Sequence, residues 1–125
     1  MGIEELGVYN KALAFLNKIW EIIIPLSYFE KNTIGNQICR SADSISANIA
    51  DGFGRYYYKD SKLFYYYARG SVFETKDWLH KLKDRNIINE ITYAMLIDEL
   101  NSIGKMLNNY IKSIGKLNQT TTNDQ

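Results

Sequence analysis

At 125 residues the chain is long enough for one domain with a real core and short for two. Its 46% hydrophobic and 23% charged residues exclude wholesale disorder. A net charge of +1 excludes a strongly basic arm, and the single cysteine excludes an internal disulfide, as in a reducing cytoplasm.

One proline and 8 glycines favour long, uninterrupted helices. The chain does not open with a basic patch, an apolar run and a small-residue cleavage site, so no signal peptide is expected. The longest apolar run, 22–26, is far too short to span a bilayer. A soluble cytoplasmic protein without membrane contact is therefore expected.

The first helix begins near Ile3. It places Leu6, Tyr9, Leu13, Leu16, Trp20 and Ile23 at steps of three and four, and Ala12 and Ile19 widen the stripe. Pro25 lacks an N–H and clashes with the preceding turn, so it ends or kinks this helix. Residues 27–33 read as a connection, with Asn32 or Thr33 as the N-cap of the next helix.

The second helix, over 37–55, organises the chain. Ile34, Ile38, Ala42, Ile45, Ile49 and Phe53 form its apolar seam. Ser41, Ser44, Ala47, Asn48 and Asp51 make a small or polar flank that admits a close neighbour. Gly52 and Gly54 supply a stop, because glycine tolerates the left-handed conformation at a helix end. Cys39 reads as a buried or half-buried small residue, since no activating histidine stands near it in sequence.

The third helix is capped by Asp60 or Ser61 and turns Phe64, Ala68, Ser71, Thr75, Trp78 and Leu82 inward. Gly70 and Ser71 are expected to face the small flank of the second helix. Residues 84–86 end it. From about Asn89 the fourth helix carries the most regular seam of the chain: Tyr93, Leu96, Leu100, Ile103, Leu107, Tyr110 and Ile114. No segment alternates with a period of two, so no sheet is expected. Short connections between four such helices predict an all-α, antiparallel up-down-up-down four-helix bundle over 1–116. A disordered polar tail is expected over 117–125.

Catalytic constellations are missing from this pattern. His80 is the single histidine and reads as a solvated side chain. Asp98 and Glu99 are adjacent, diverge on a helix and cannot converge on one metal. Inward Glu-x-x-His pairs are lacking, and the glycines at 52 and 54 open no phosphate loop. The chain therefore reads as non-enzymatic, with no catalytic, metal or cofactor site.

One stretch carries distinctive chemistry. Residues 55–69 hold six tyrosines and four basic residues in fifteen positions, within a region, 55–85, that has eight basic residues against four acidic ones. Arg55, Tyr56, Tyr57, Lys59, Lys62, Tyr65, Tyr66 and Arg69 are the contact candidates, while Phe64 and Tyr67 point inward or sideways. Two readings stand. Tyrosine is enriched at protein interfaces, and tyrosine beside lysine and arginine also suits single-stranded nucleic acid. Phe53, Tyr57, Leu63, Tyr66 and Val72 lie beside the seams and exceed what a lone bundle buries, which points to association. Among polar residues, Asn48 on a largely apolar flank must be hydrogen-bonded, and Arg40 and Glu74 are candidates for a charge pair between the second and third helices.

The run Ser44-Ile45-Ser46-Ala47-Asn48-Ile49-Ala50-Asp51-Gly52, preceded by Gln37 and Arg40, resembles the SI-x-x-NIAEG signature of the bacterial 23S ribosomal RNA intervening-sequence proteins. Ala68-Arg69-Gly70-Ser71 with Glu74 is similar to that family's second motif, A-x-G-S-x-x-E. Asp51 stands where glutamate is usual. The resemblance covers roughly residues 5–115 and assigns Arg40, Ser44, Asn48, Asp51, Gly70, Ser71 and Glu74 to a shared structural motif. It implies a four-helix bundle that closes into homopentameric rings. Similar accessory proteins of diversity-generating retroelements bind a reverse transcriptase and nucleic acid. The expectation is a self-assembling scaffold or interaction protein; the alternative is an RNA- or DNA-binding accessory factor with a protein partner such as a reverse transcriptase.

Overall fold

The computed structural model describes the backbone of residues 2–121 and the side chains of residues 2–114. After a 3-10 turn at Ile3–Glu5, four long helices follow: α1 (Gly7–Ile23), α2 (Asn36–Phe53), α3 (Tyr58–Asp84) and α4 (Glu90–Thr121). No strand occurs among the described residues. None of these helices is long and apolar enough to cross a membrane.

Each helix packs on the next, and α1 packs on α4. The paired residues run in opposite directions. Gly52 of α2 meets Ser61 and Tyr65 of α3, whereas Ser41 meets Thr75. Along α3 and α4, Tyr65 packs on Tyr110, Arg69 bonds Asn108, and Lys83 reaches Glu90. Gly7 of α1 lies beside Met106, and Lys18 pairs with Glu99. These contacts are consistent with the up-down-up-down order, and the buried side chains of all four helices form one core.

α2 buries Ile38, Ala42, Ile45 and Ile49 as its period predicts, with Ile34 buried just ahead of it, and α4 buries Leu96, Leu100, Ile103 and Leu107. The other two helices are rotated from expectation. α1 buries Val8, Ala12, Phe15, Ile19 and Ile23, leaving Trp20 58% exposed and Leu13 and Leu16 half-buried. Its apolar residues cover so much of the circumference that period alone cannot choose the centre. The neighbours α2 and α4 choose it, on the line through small Ala12. α3 buries Ala68, Ser71, Thr75 and Leu82 of the predicted seam together with Tyr65, Val72 and Leu79, while Phe64 and Trp78 are only half-buried.

Helix boundaries show further departures. Residues 27–33 are no loop. Ser27 accepts from the Glu30 N–H and Glu30 from the Ser27 N–H, a reciprocal capping box. The chain then runs through a helical turn (Tyr28–Glu30) and a π-helical stretch (Lys31–Gly35) straight into α2. Asn32 and Thr33 sit inside this run and donate to the carbonyls of Tyr28 and Phe29, so neither is the N-cap. α3 starts at Tyr58, ahead of Asp60 and Ser61, with no side-chain cap. No described glycine has positive φ. Gly54 closes α2 in the right-handed region, so the left-handed stop expected of Gly52 and Gly54 does not occur. A left-handed residue does end α3, at Asn86 (φ 59°). The Asn89 side chain accepts from Thr92 N–H at 2.8 Å and caps α4. α4 runs on to Thr121, into the stretch 117–125 expected to form a tail; residues 122–125 of that tail lie outside the described residues.

Candidate interaction surface

The predicted contact segment begins in the α2–α3 connection and climbs the first three turns of α3. Because α3 has a 3.6-residue period, its consecutive tyrosines cannot share a face. Tyr65 is 1% exposed, wedged against Gly52 and packed edge-on to Tyr110 at 5.0 Å. Burial, reinforced by Tyr110, raises its phenol pKa well above the usual tyrosine range. Tyr65 is therefore a core residue and is removed from the contact candidates.

The remaining candidates stay at the surface. Tyr56 is 89% exposed and pairs edge-on with exposed Tyr57 at 4.9 Å. Arg55 bonds Asp51 Oδ1 at 2.9 Å with its guanidinium 4.2 Å from the Phe64 ring centre. Arg69 lies over the Tyr66 ring at 4.8 Å and donates to Asn108 Oδ1 at 3.0 Å. Lys59, Lys62, Leu63 and Tyr66 border a shallow depression of about 410 Å³. The segment thus presents an aromatic surface with two arginines already engaged and two lysines beside it.

The shared-motif residues work along their own helix rather than across to its neighbour. Ser44 Oγ donates to Arg40 O at 2.8 Å, and Asn48 Nδ2 donates to Ser44 O at 2.9 Å, so the amide nitrogen is hydrogen-bonded as required. Arg40 and Glu74 are both exposed, and no ion pair joins them among the described residues. The polar link between α2 and α3 is made instead by buried Ser41 and Thr75. The Thr75 hydroxyl lies 3.0 Å from Ser41 Oγ and 2.7 Å from the carbonyl of buried Ser71. Gly70 is exposed, and a Cβ there would meet nothing within 4 Å, so it does not face α2.

A second exposed apolar region was not singled out from the sequence. Trp20 and Ile24 at the end of α1 are exposed, and so are Tyr28 and Phe29 ahead of α2. Trp20, Ile23, Ile24, Gly35 and Cys39 line a cleft of about 320 Å³ there. The signal that could have found it is the Ser27-x-x-Glu30 box, which turns residues 28 and 29 from a loop into an outward helical face. Half-buried Cys39 has its pKa raised by burial and then by Asp43, which holds the thiol protonated. His80 is exposed and lies 3.1 Å from Asp84 Oδ2. No group of three or more metal-ligating side chains converges among the described residues.

Four helices around one core define an all-α helical-bundle protein. The 23S rRNA-intervening sequence protein family matches residues 4–109, and the chain belongs to that family. Among solved structures, the chain is similar to a protein with unknown function from the S23 ribosomal protein family of Bacteroides thetaiotaomicron. The two share 27% identity and a TM-score of 0.75, over 84% of this chain and 95% of the other. No curated protein matches.

Proposed function

We propose that the protein is a non-enzymatic scaffold that acts by assembling with copies of itself into a closed ring. The observation that carries this reading is the pair of exposed apolar patches at opposite ends of α2. One comprises Trp20, Ile24, Tyr28 and Phe29, near the cleft lined by Trp20, Ile24 and Cys39; the other comprises Tyr56, Tyr57, Leu63 and Tyr66, near the depression bordered by Leu63 and Tyr66. The 18 residues of α2 separate them by roughly 27 Å. Two unlike patches so far apart suit a head-to-tail contact, which closes into a ring when the rotation per subunit permits. Five subunits is the number the family resemblance implies.

Within residues 55–69 the geometry favours subunit contact over nucleic acid. Arg55 is paired with Asp51, Arg69 is drawn across to α4, and Tyr65 is buried, which leaves exposed tyrosines as the dominant feature. Size exclusion coupled to light scattering tests the assembly. A ring mass that persists at micromolar concentration is expected; a monomer mass would overturn the scaffold reading, and a dimer would overturn the ring.

A further inference from the structure

The outward faces of α3 and α4 meet along a stripe that neither shared motif explains. α3 contributes Arg69, Phe73 and Lys76, spaced four and three residues apart, so all three project from one face. Lys105 and Lys112, seven residues apart, project from the facing side of α4, with Asn101 and Asn108 between the same two helices. Together they enclose an open groove of about 440 Å³ whose lining contains no carboxylate. Four of the chain's 15 basic residues thus gather in one groove of a protein whose net charge is only +1.

The cations are arranged for a chain of charges rather than a single ion. Residues seven apart on a helix are separated by roughly 10 Å along its axis. Arg69 and Lys76 therefore make one pair at that pitch, and Lys105 and Lys112 another. The antiparallel contact that places Arg69 against Asn108 sets the two pairs side by side. Asn108 accepts the Arg69 bond through Oδ1, so its Nδ2 stays a donor, and Arg69 keeps further N–H groups to give. Phe73 is 63% exposed and carries Lys76 Nζ 5.0 Å from its ring centre. Gly104, which has no side chain, lines the floor beside Val72. Donors and positive charge flank one aromatic face, the combination that meets phosphates and a base together.

We propose that this α3–α4 groove binds the phosphate chain of a nucleotide, with Arg69, Lys76, Lys105 and Lys112 holding linked phosphates and Phe73 stacking on the base. A free nucleotide and a single strand present the same chemistry, and the test separates them. Apart from Arg69 the site lies outside the tyrosine segment, and its failure leaves the self-assembly reading intact.

The full-length protein is titrated with three probes: inorganic tripolyphosphate, adenosine triphosphate and a short oligothymidylate. Saturable binding of a base-bearing probe is expected. Lys76→Glu combined with Lys105→Glu weakens it by about tenfold or more and, on the oligothymidylate, flattens the log affinity–log salt slope by roughly 0.7 for each phosphate no longer neutralised. Phe73→Ala weakens the base-bearing probes by about fivefold or more and leaves tripolyphosphate unaffected. Saturation by both base-bearing probes identifies a free nucleotide as sufficient; saturation by the oligothymidylate alone identifies a strand. All three side chains are exposed or half-buried, and unchanged circular dichroism and scattering mass establish that the variants are folded. Absence of saturable binding, or binding indifferent to the double charge reversal, overturns the site. Equal affinity for tripolyphosphate, with no response to Phe73→Ala, overturns the nucleotide assignment.

Discussion

Gly52 and Gly70 sit in the two shared motifs and have opposite surroundings. A Cβ at Gly52 would stand 3.0 Å from the Ser61 carbonyl oxygen and 3.2 Å from the Tyr65 ring, inside a close approach of α2 to α3. At Gly70 it would meet open space. Gly52→Ala should therefore destabilise by about 1–2 kcal/mol, the overpacking cost exceeding the gain in helix propensity. Gly70→Ala should instead stabilise by about 0.5–1 kcal/mol through propensity alone. Urea midpoints of the two purified variants check both signs, and equal shifts would contradict the assignment of the close crossing to Gly52. Of the small flank read from the sequence, Ser41, Ser44, Ala47, Asn48 and Asp51, only Ser41 is buried against α3, while Gly52, read as a stop, makes the close approach. Which glycine serves the crossing was not legible, since that depends on where α3 begins. The expected Arg40–Glu74 pair fails for a related reason: opposite charge makes a pair plausible, but only facing positions make one, and both side chains turn to solvent.

The rotations of α1 and α3 show what periodicity can and cannot decide for an element. α4 has one apolar line, and its Leu96–Leu100–Ile103–Leu107 seam was readable directly. α3 carries aromatic residues at 64, 65, 66 and 67, so frames centred on Phe64 or Tyr65 fit the period equally. Gly52 decides between them, because only the Tyr65 frame fills the space it leaves. That choice has a pH consequence. Unfolded tyrosine ionises near pH 10, whereas folded Tyr65 holds its proton to higher pH. Above about pH 10 the folded state thus binds more protons than the unfolded one, and stability should fall as pH rises. Below that pH the contribution is fully present. Tyr65→Phe should flatten the alkaline fall in the urea midpoint, and a slope identical to that of the parent protein would show that Tyr65 is not its source. The entry to α2 gives a second test. Ser27 and Glu30 satisfy each other's backbone N–H groups, so Ser27→Ala should lower stability by about 1 kcal/mol. Glu30→Gln, which keeps an acceptor, should cost less. Comparable losses would point to the charge of Glu30 rather than to the box.

For the whole molecule, topology separates the two apolar patches, and that separation makes the mode of assembly testable. The residues were each visible in sequence as apolar, but their exposure was not: Tyr28 and Phe29 face outward on a helical turn because the chain resumes a helix soon after Pro25. An isologous dimer would use one patch twice, so damage to the other would leave it whole. A head-to-tail ring uses both at every junction. Phe29→Glu should break one side of each junction, and Tyr57→Glu the other; both residues are exposed, so neither change disturbs the core. Each variant alone should then run as a monomer in light scattering. Mixed in equal amounts, they should recover a dimer and nothing larger, because the intact Tyr57 patch of one meets the intact Phe29 patch of the other while the opposite junction stays broken. If either variant alone keeps the parent mass, the two patches do not form a common junction. If the mixture stays monomeric although each variant is folded by circular dichroism, the patches do not recognise each other, and the head-to-tail contact fails with them.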